Sequence, residues 1–172
     1  MLKLLEKPLA ALCLAGAIAL TTLPAAAQAP AKPGSPQAPM FLEDTSPANF
    51  PKTLEVFKEE VKAGGWTILG EHNMAGILST KGYTLHPVVV IEVCSGKYSA
   101  RLLTKDEYRY VVSMIPCRVA IYQTSTGKVV ISRMNTEMFA GMMSGEVAEV
   151  MRLSGSEMEG VIKKTLARLN QK

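Results

Sequence analysis

The chain has 172 residues, long enough for one domain with a real core. Its 19 Lys and Arg against 15 Asp and Glu give a net charge of +4, and no basic block is interleaved with aromatic residues. A mild charge spread in this way excludes nucleic acid as an indicated partner.

Lys3 and Lys7 precede an apolar stretch from Leu9 to Leu20, and small residues follow from Leu23 to Ala29. A basic start, a short apolar core and an A-x-A site are the parts of a secretory signal peptide. The run is too short to span a bilayer as a stable helix, so no membrane span is expected after cleavage. Cleavage is expected after Ala27, because Ala29 is followed by Pro30. Cys13 follows Leu12 inside the apolar core and reads poorly as a lipid acceptor. A buried helix or a retained anchor accounts less well for the same features. Residues 1–27 are therefore read as a leader, and the mature chain as periplasmic or secreted. Without them, 17 basic and 14 acidic residues remain, a charge of +3, and Cys94 and Cys117 are the only cysteines left. Two cysteines in an exported protein make a disulfide permissible.

Residues 28–40 hold Pro30, Pro33, Pro36 and Pro39 with Gly34 and Ser35, an extended linker with nothing to bury. The domain is placed at 41–172. Phe41-Leu42 starts a first short strand. Pro51 suits the first turn of a helix, where its missing N–H needs no partner. Leu54, Phe57 and Val61 share one face of that helix, and Gly64-Gly65 stops it. Trp66 to Leu69 reads as a strand, and residues 75–85 as a loop around a short helix. Pro87 to Cys94 is the clearest strand, apolar on both faces, which suits a central, well-covered position. Tyr98 to Leu103 reads as a short helix, continued by Tyr108 to Val112. Ile115, Cys117, Val119 and Ile121 alternate with Pro116, Arg118 and Ala120, a strand pattern. Thr124 to Gly127 is turn chemistry, and Lys128 to Arg133 returns as the second arm of a hairpin. From Thr136 the period becomes helical, with Phe139, Met143, Val147, Val150 and Met151 in one stripe. A break is expected at Ser154-Gly155, then a capping box from Ser156 to Glu159 that opens a last helix carrying Val161, Ile162, Leu166 and Leu169. This order predicts an α+β fold, a curved antiparallel sheet with helices on one face.

Several of these segments carry a resemblance. Gly64-Gly-Trp-Thr-Ile-Leu69 is followed by Val90-Val-Ile-Glu-Val-Cys94. Later come Ser113-Met-Ile-Pro-Cys-Arg-Val-Ala-Ile-Tyr122 and a hairpin ending in Gly127-Lys-Val-Val-Ile131. In this order they resemble the domain-of-unknown-function family numbered 302, over roughly residues 41–170. Where that family usually has Asn-Pro after the first cysteine, this chain has Ser95-Gly96. Both pairs suit a strand-to-helix turn, but a role for that asparagine does not carry over. The resemblance implies a fold like half of the TATA-binding protein, β-α-β4-α, often as a homodimer. It implies no DNA binding and supplies no catalytic residue.

The candidate site residues are Glu92, Cys94, Cys117 and Arg118. Glu92 interrupts an apolar run and shares strand parity with Cys94, so a Glu92–Cys94 face flanked by Cys117 is the expected site. The plainer reading puts Glu92 on the wet side of the sheet, paired with an arginine such as Arg118. The cysteines stay open between buried packing residues, a disulfide between Cys94 and Cys117, and a reactive or ligand-holding dithiol. Arg118 beside Cys117 would favour its thiolate, but strand alternation turns it to the opposite face. His72 and His86 are the only histidines and the candidate metal ligands beside the thiols. Met134, Met138 and Met142 recur every four residues, with Met143, Met151 and Met158 beyond, which suits core packing, a partner groove or a soft metal ion. No phosphate loop, nucleophile elbow, zinc-protease helix or dinucleotide fingerprint is present, and the cofactor is left unassigned. The expected function is an exported accessory domain that binds a small molecule, a sulfur species or a metal near the two cysteines. A thiol-redox or sulfur-handling enzyme, and a structural dimer, stand as alternatives.

Overall fold

The structure is a computed structural model that describes residues 39–171, so the leader and the linker up to residue 38 lie outside the described residues. Strand β1 (Phe41–Ser46) leads into helix α1 (Phe50–Ala63), strand β2 (Thr67–Asn73) and the short helix α2 (Met74–Ser79). Strand β3 (Val88–Cys94) is followed by helix α3 (Gly96–Leu103) and a 3-10 segment, Asp106–Met114. The hairpin of β4 (Cys117–Gln123) and β5 (Val129–Met134) precedes helices α4 (Thr136–Ala140) and α5 (Gly145–Asn170). The β-α-β4-α order expected from the resemblance is present, with α2, α3, the 3-10 segment and α4 added between its members.

Local chemistry explains the boundaries. The Asn49 side chain accepts the Lys52 N–H at 3.0 Å and caps α1, with Pro51 in the first turn. At the β4–β5 turn Gly127 takes φ +83°, a conformation that costs glycine little and other residues much.

The five strands form one open antiparallel sheet in the order β1-β5-β4-β3-β2. One face packs against α1 and α5. Val89, Ile91 and Val93 of β3, Val119 and Ile121 of β4, and Val129 and Ile131 of β5 meet Phe57 and Val61 of α1 and Met158, Val161 and Ile162 of α5. Each such side chain contributes about 1.5–3 kcal/mol by leaving water. A second cluster, Leu102, Val111, Val147 and Val150, joins α3, the 3-10 segment and the start of α5.

Three expectations are corrected. β3 is an inner strand, but only one of its faces is sealed: Val89, Ile91 and Val93 are buried, while Val88, Val90, Glu92 and Cys94 are half-buried. No helix break occurs at Ser154-Gly155; α5 runs through both residues. A β-carbon on Gly155 would stand 1.8 Å from Thr136 Oγ1, so this glycine serves the contact with α4 and not a cap. Glu159 correspondingly binds Arg133 of β5 and completes no capping box. The four-residue methionine spacing is also not a helical stripe. Met134 ends β5, Met138 lies in α4 and Met142 follows Gly141 beyond that helix, with Met134 and Met142 exposed.

Candidate functional site

The ladder register pairs Val93 with Cys117 and Glu92 with Arg118. Cys117 therefore shares the helix-covered face with Val93, Val119 and Ile121, and it packs against that core. Cys94 sits one position further along β3, where the chain turns into α3. Its Sγ lies 3.0 Å from Ser99 Oγ in that helix. Both thiols are free. Their positions are adjacent on the ladder, but alternation sends their β-carbons to opposite faces of the sheet, a poor start for a bond between them.

Both cysteines front one cavity of about 130 Å³ between the ends of β3 and β4, α3, the 3-10 segment and α5. Its wall is mostly apolar, with Trp66, Leu102, Val111, Val147 and Val150 among its residues. Ser95, Ser99 and Ser154 add small hydroxyl groups. Burial, and then the nearby Cys94, push the Cys117 thiol above the ordinary cysteine value. Cys117 is thus a protonated thiol at neutral pH, unlike an activated nucleophile.

A carboxylate pins one side of this cavity. The Trp66 indole N–H donates to Glu157 Oε1 at 3.3 Å, and the Tyr98 hydroxyl donates to Oε2 at 2.6 Å. Lys97 Nζ stands 2.8 Å from the same Oε2. Burial pushes the Glu157 carboxyl up, but the donors Lys97 and Tyr98 outweigh it and hold the group below its usual range. Trp66 and Tyr98 both line the cavity, their rings 6.2 Å apart.

Glu92 lies outside this cavity, and Arg118, one of its lining residues, is paired with Glu92. Arg118 Nε donates to Glu92 Oε1 at 3.3 Å on the uncovered face of the sheet, and His72 Nε2 is 3.6 Å from Glu92 Oε2. The plainer reading of Glu92 is the observed one. The expected Glu92–Cys94–Cys117 face separates because Cys117 points to the helices and Arg118 to Glu92. His86 lies exposed in the loop ahead of β3. Among the described residues, no three His, Cys, Asp or Glu side chains gather as metal donors.

Sequence reasoning missed Trp66, Tyr98 and Glu157 as site residues, together with Met114, whereas Met151 and Met158, named among the methionines above, do lie on the cavity wall. An unbroken reading of α5 was the available signal. Met151, Ser154 and Met158 stand at i, i+3 and i+7, one face of a helix.

The family model described as Domain of unknown function DUF302 matches residues 42–169. The crystal structure of an uncharacterized conserved DUF302 protein from Bacillus stearothermophilus aligns with a TM-score of 0.67 at 24% identity. The alignment covers 74% of this chain and 99% of that one, and it carries the fold alone. No curated protein matches.

Proposed function

This chain belongs to the DUF302 family, and from that premise we propose that it is an exported binding domain whose ligand enters the cavity fronted by Cys94 and Cys117. The supporting observation is the cavity itself: about 130 Å³, mostly apolar, with two free thiols on its wall. An apolar cavity of that order holds a benzene-sized molecule. A binding role fits better than thiol catalysis, because burial keeps the Cys117 thiol protonated and Arg118 is engaged by Glu92.

Toluene serves as the probe. Saturating toluene is expected to raise the melting temperature of the domain and to slow alkylation of Cys117. Ser154→Leu, which fills the cavity from α5, should remove both effects while the helical circular-dichroism signal persists. Unchanged melting and unchanged alkylation in the parent domain would overturn the reading.

Two further parts of the proposal rest on residues 1–27 and on the family resemblance. Export predicts a mature N-terminus at Gln28 in the periplasmic fraction of a Gram-negative host, and full-length protein in the cytoplasm would remove that part. A homodimer predicts twice the monomer mass of the mature chain in light scattering, and the monomer mass would remove it.

A further inference from the structure

The sheet turns one face away from α1 and α5, and strand pairing lays out its side chains as a grid. One row crosses all five strands: Glu43 of β1, Ser132 of β5, Ala120 of β4, Val90 of β3 and His72 of β2. Thr45, Val130, Tyr122 and Val88 run beside it on one side. On the other stand the cross-strand pairs Phe41 with Met134 and Arg118 with Glu92. The polar groups of this face bind one another. The Tyr122 hydroxyl donates to Glu43 Oε1 at 2.8 Å, and Arg118 Nε donates to Glu92. The middle is small and apolar. Ala120, Val88 and Val90 are half-buried there, while Phe41 and Met134 stand exposed at a corner.

We propose that this face is the contact of a two-fold homodimer, with the symmetry axis running along β4 through Ala120. The proposal rests on the homodimer part of the reading above and names its surface. Size and shape argue for a second sheet. Five strands about 4.8 Å apart and about 20 Å long give a plan area of about 480 Å². Side chains that stand off the sheet raise the accessible area toward the roughly 800 Å² that each partner gives to a stable interface. A peptide or a small ligand would leave most of so flat a surface wet, whereas a second sheet packs on it at a spacing of about 10 Å. Charge argues against other broad partners: the carboxylates Glu43 and Glu92 outnumber the one guanidinium, Arg118, and repel a phosphate backbone or an anionic membrane. The long row selects the axis. A two-fold contact lays the face over its own copy. Rotation about β4 reverses the row, so Glu43 meets the partner's His72, Ser132 meets the partner's Val90, and Ala120 meets itself. Rotation about the row would instead set Glu43 on Glu43 and His72 on His72, like against like. Ala120 is the smallest side chain of the row and lies where the two copies approach closest. Arg118 and Tyr122 also belong to β4, but their bonds to Glu92 and Glu43 draw both side chains off the axis. Those bonds persist when the face is covered, so closing it leaves neither carboxylate alone. The same rotation carries the segment after β2, whose Ile77, Tyr83 and Leu85 are exposed, to the β1 side of the partner.

The test cross-links the mature chain carrying Ala120→Cys with a short bis-maleimide. Glu55→Cys on the exposed side of α1 is the comparison, and the parent's own cysteines set the background. Two thiols on the axis stand within the span of the reagent, so Ala120→Cys is expected to give covalent dimer at least tenfold faster than Glu55→Cys. Ala120→Arg, which sets two cations on the axis, should halve the light-scattering mass while the helical circular-dichroism signal persists. With the parent a dimer, equal rates from the two cysteine variants, or a folded Ala120→Arg that stays dimeric, would overturn this face and leave the homodimer to another surface. A parent of monomer mass removes both. If Ala120→Arg does not fold, the cross-linking rates decide alone.

Discussion

Gly155 shows what a single missing β-carbon does. Its absence lets α5 run against Thr136, and any side chain there must push α4 away. Gly155→Ala is expected to cost about 1–3 kcal/mol in urea unfolding, the range for overpacking a tight contact. Adding Thr136→Ala should restore part of it. Cys117 is the second residue whose setting has a measurable result. Its raised thiol value predicts alkylation by iodoacetamide at pH 7 at least tenfold slower than that of a free cysteine. Its contribution to stability follows the same sign. The unfolded thiol loses its proton first as pH rises, so the contribution is complete below the ordinary cysteine range and is lost as pH climbs through the higher folded value. Replacement by alanine should flatten that alkaline limb.

The elements were legible in the sequence where one physical signal acted alone. β3, β4 and β5 follow from period-two alternation and turn chemistry, and α1 from its proline, its apolar face and its glycine stop. The failures came where one residue served two signals. Ser154-Gly155 has the composition of a break, yet the glycine answers to Thr136, 19 positions away, and no local pattern encodes that contact. The pairing of Glu92 with Arg118 was readable from strand parity, whereas the cavity was not, because it depends on how α5 and the 3-10 segment close over the ends of β3 and β4. Glu157 is the clearest case of a group defined by elements distant in sequence, since it joins the start of β2, α3 and α5. Its carboxyl lies below the usual range, so its contribution is present above the ordinary carboxylate value and is lost as pH falls through the depressed one. Glu157→Gln is expected to remove that acid-limb dependence and to lower stability by about 1 kcal/mol, the usual scale for a charge-assisted hydrogen bond that is partly solvated. Identical acid limbs in variant and parent would refute this role.

At the scale of the whole molecule, α5 supplies residues to both apolar clusters: Val147 and Val150 to one, Met158, Val161 and Ile162 to the other. Neither cluster keeps its cover if the helix leaves. The domain is therefore expected to melt in one transition, with calorimetric and van't Hoff enthalpies in agreement. Two resolved transitions would mean that the clusters unfold separately. Among the described residues no helix is long and apolar enough to cross a membrane.

The 26 residues of α5 also make it a lever, with its pivot where Gly155 bears on Thr136. Arg168 lies roughly 20 Å beyond that pivot at 1.5 Å per residue, and there it grips Glu59 and Glu60 of α1. A tilt of about 5° at the pivot would carry this far end by about 2 Å, enough to break an ion pair. Met151 and Met158 flank the pivot on the cavity wall, so an occupant that presses on them works the short arm. The grip of Arg168 on α1 is then the place where a full cavity would be felt on the outer surface.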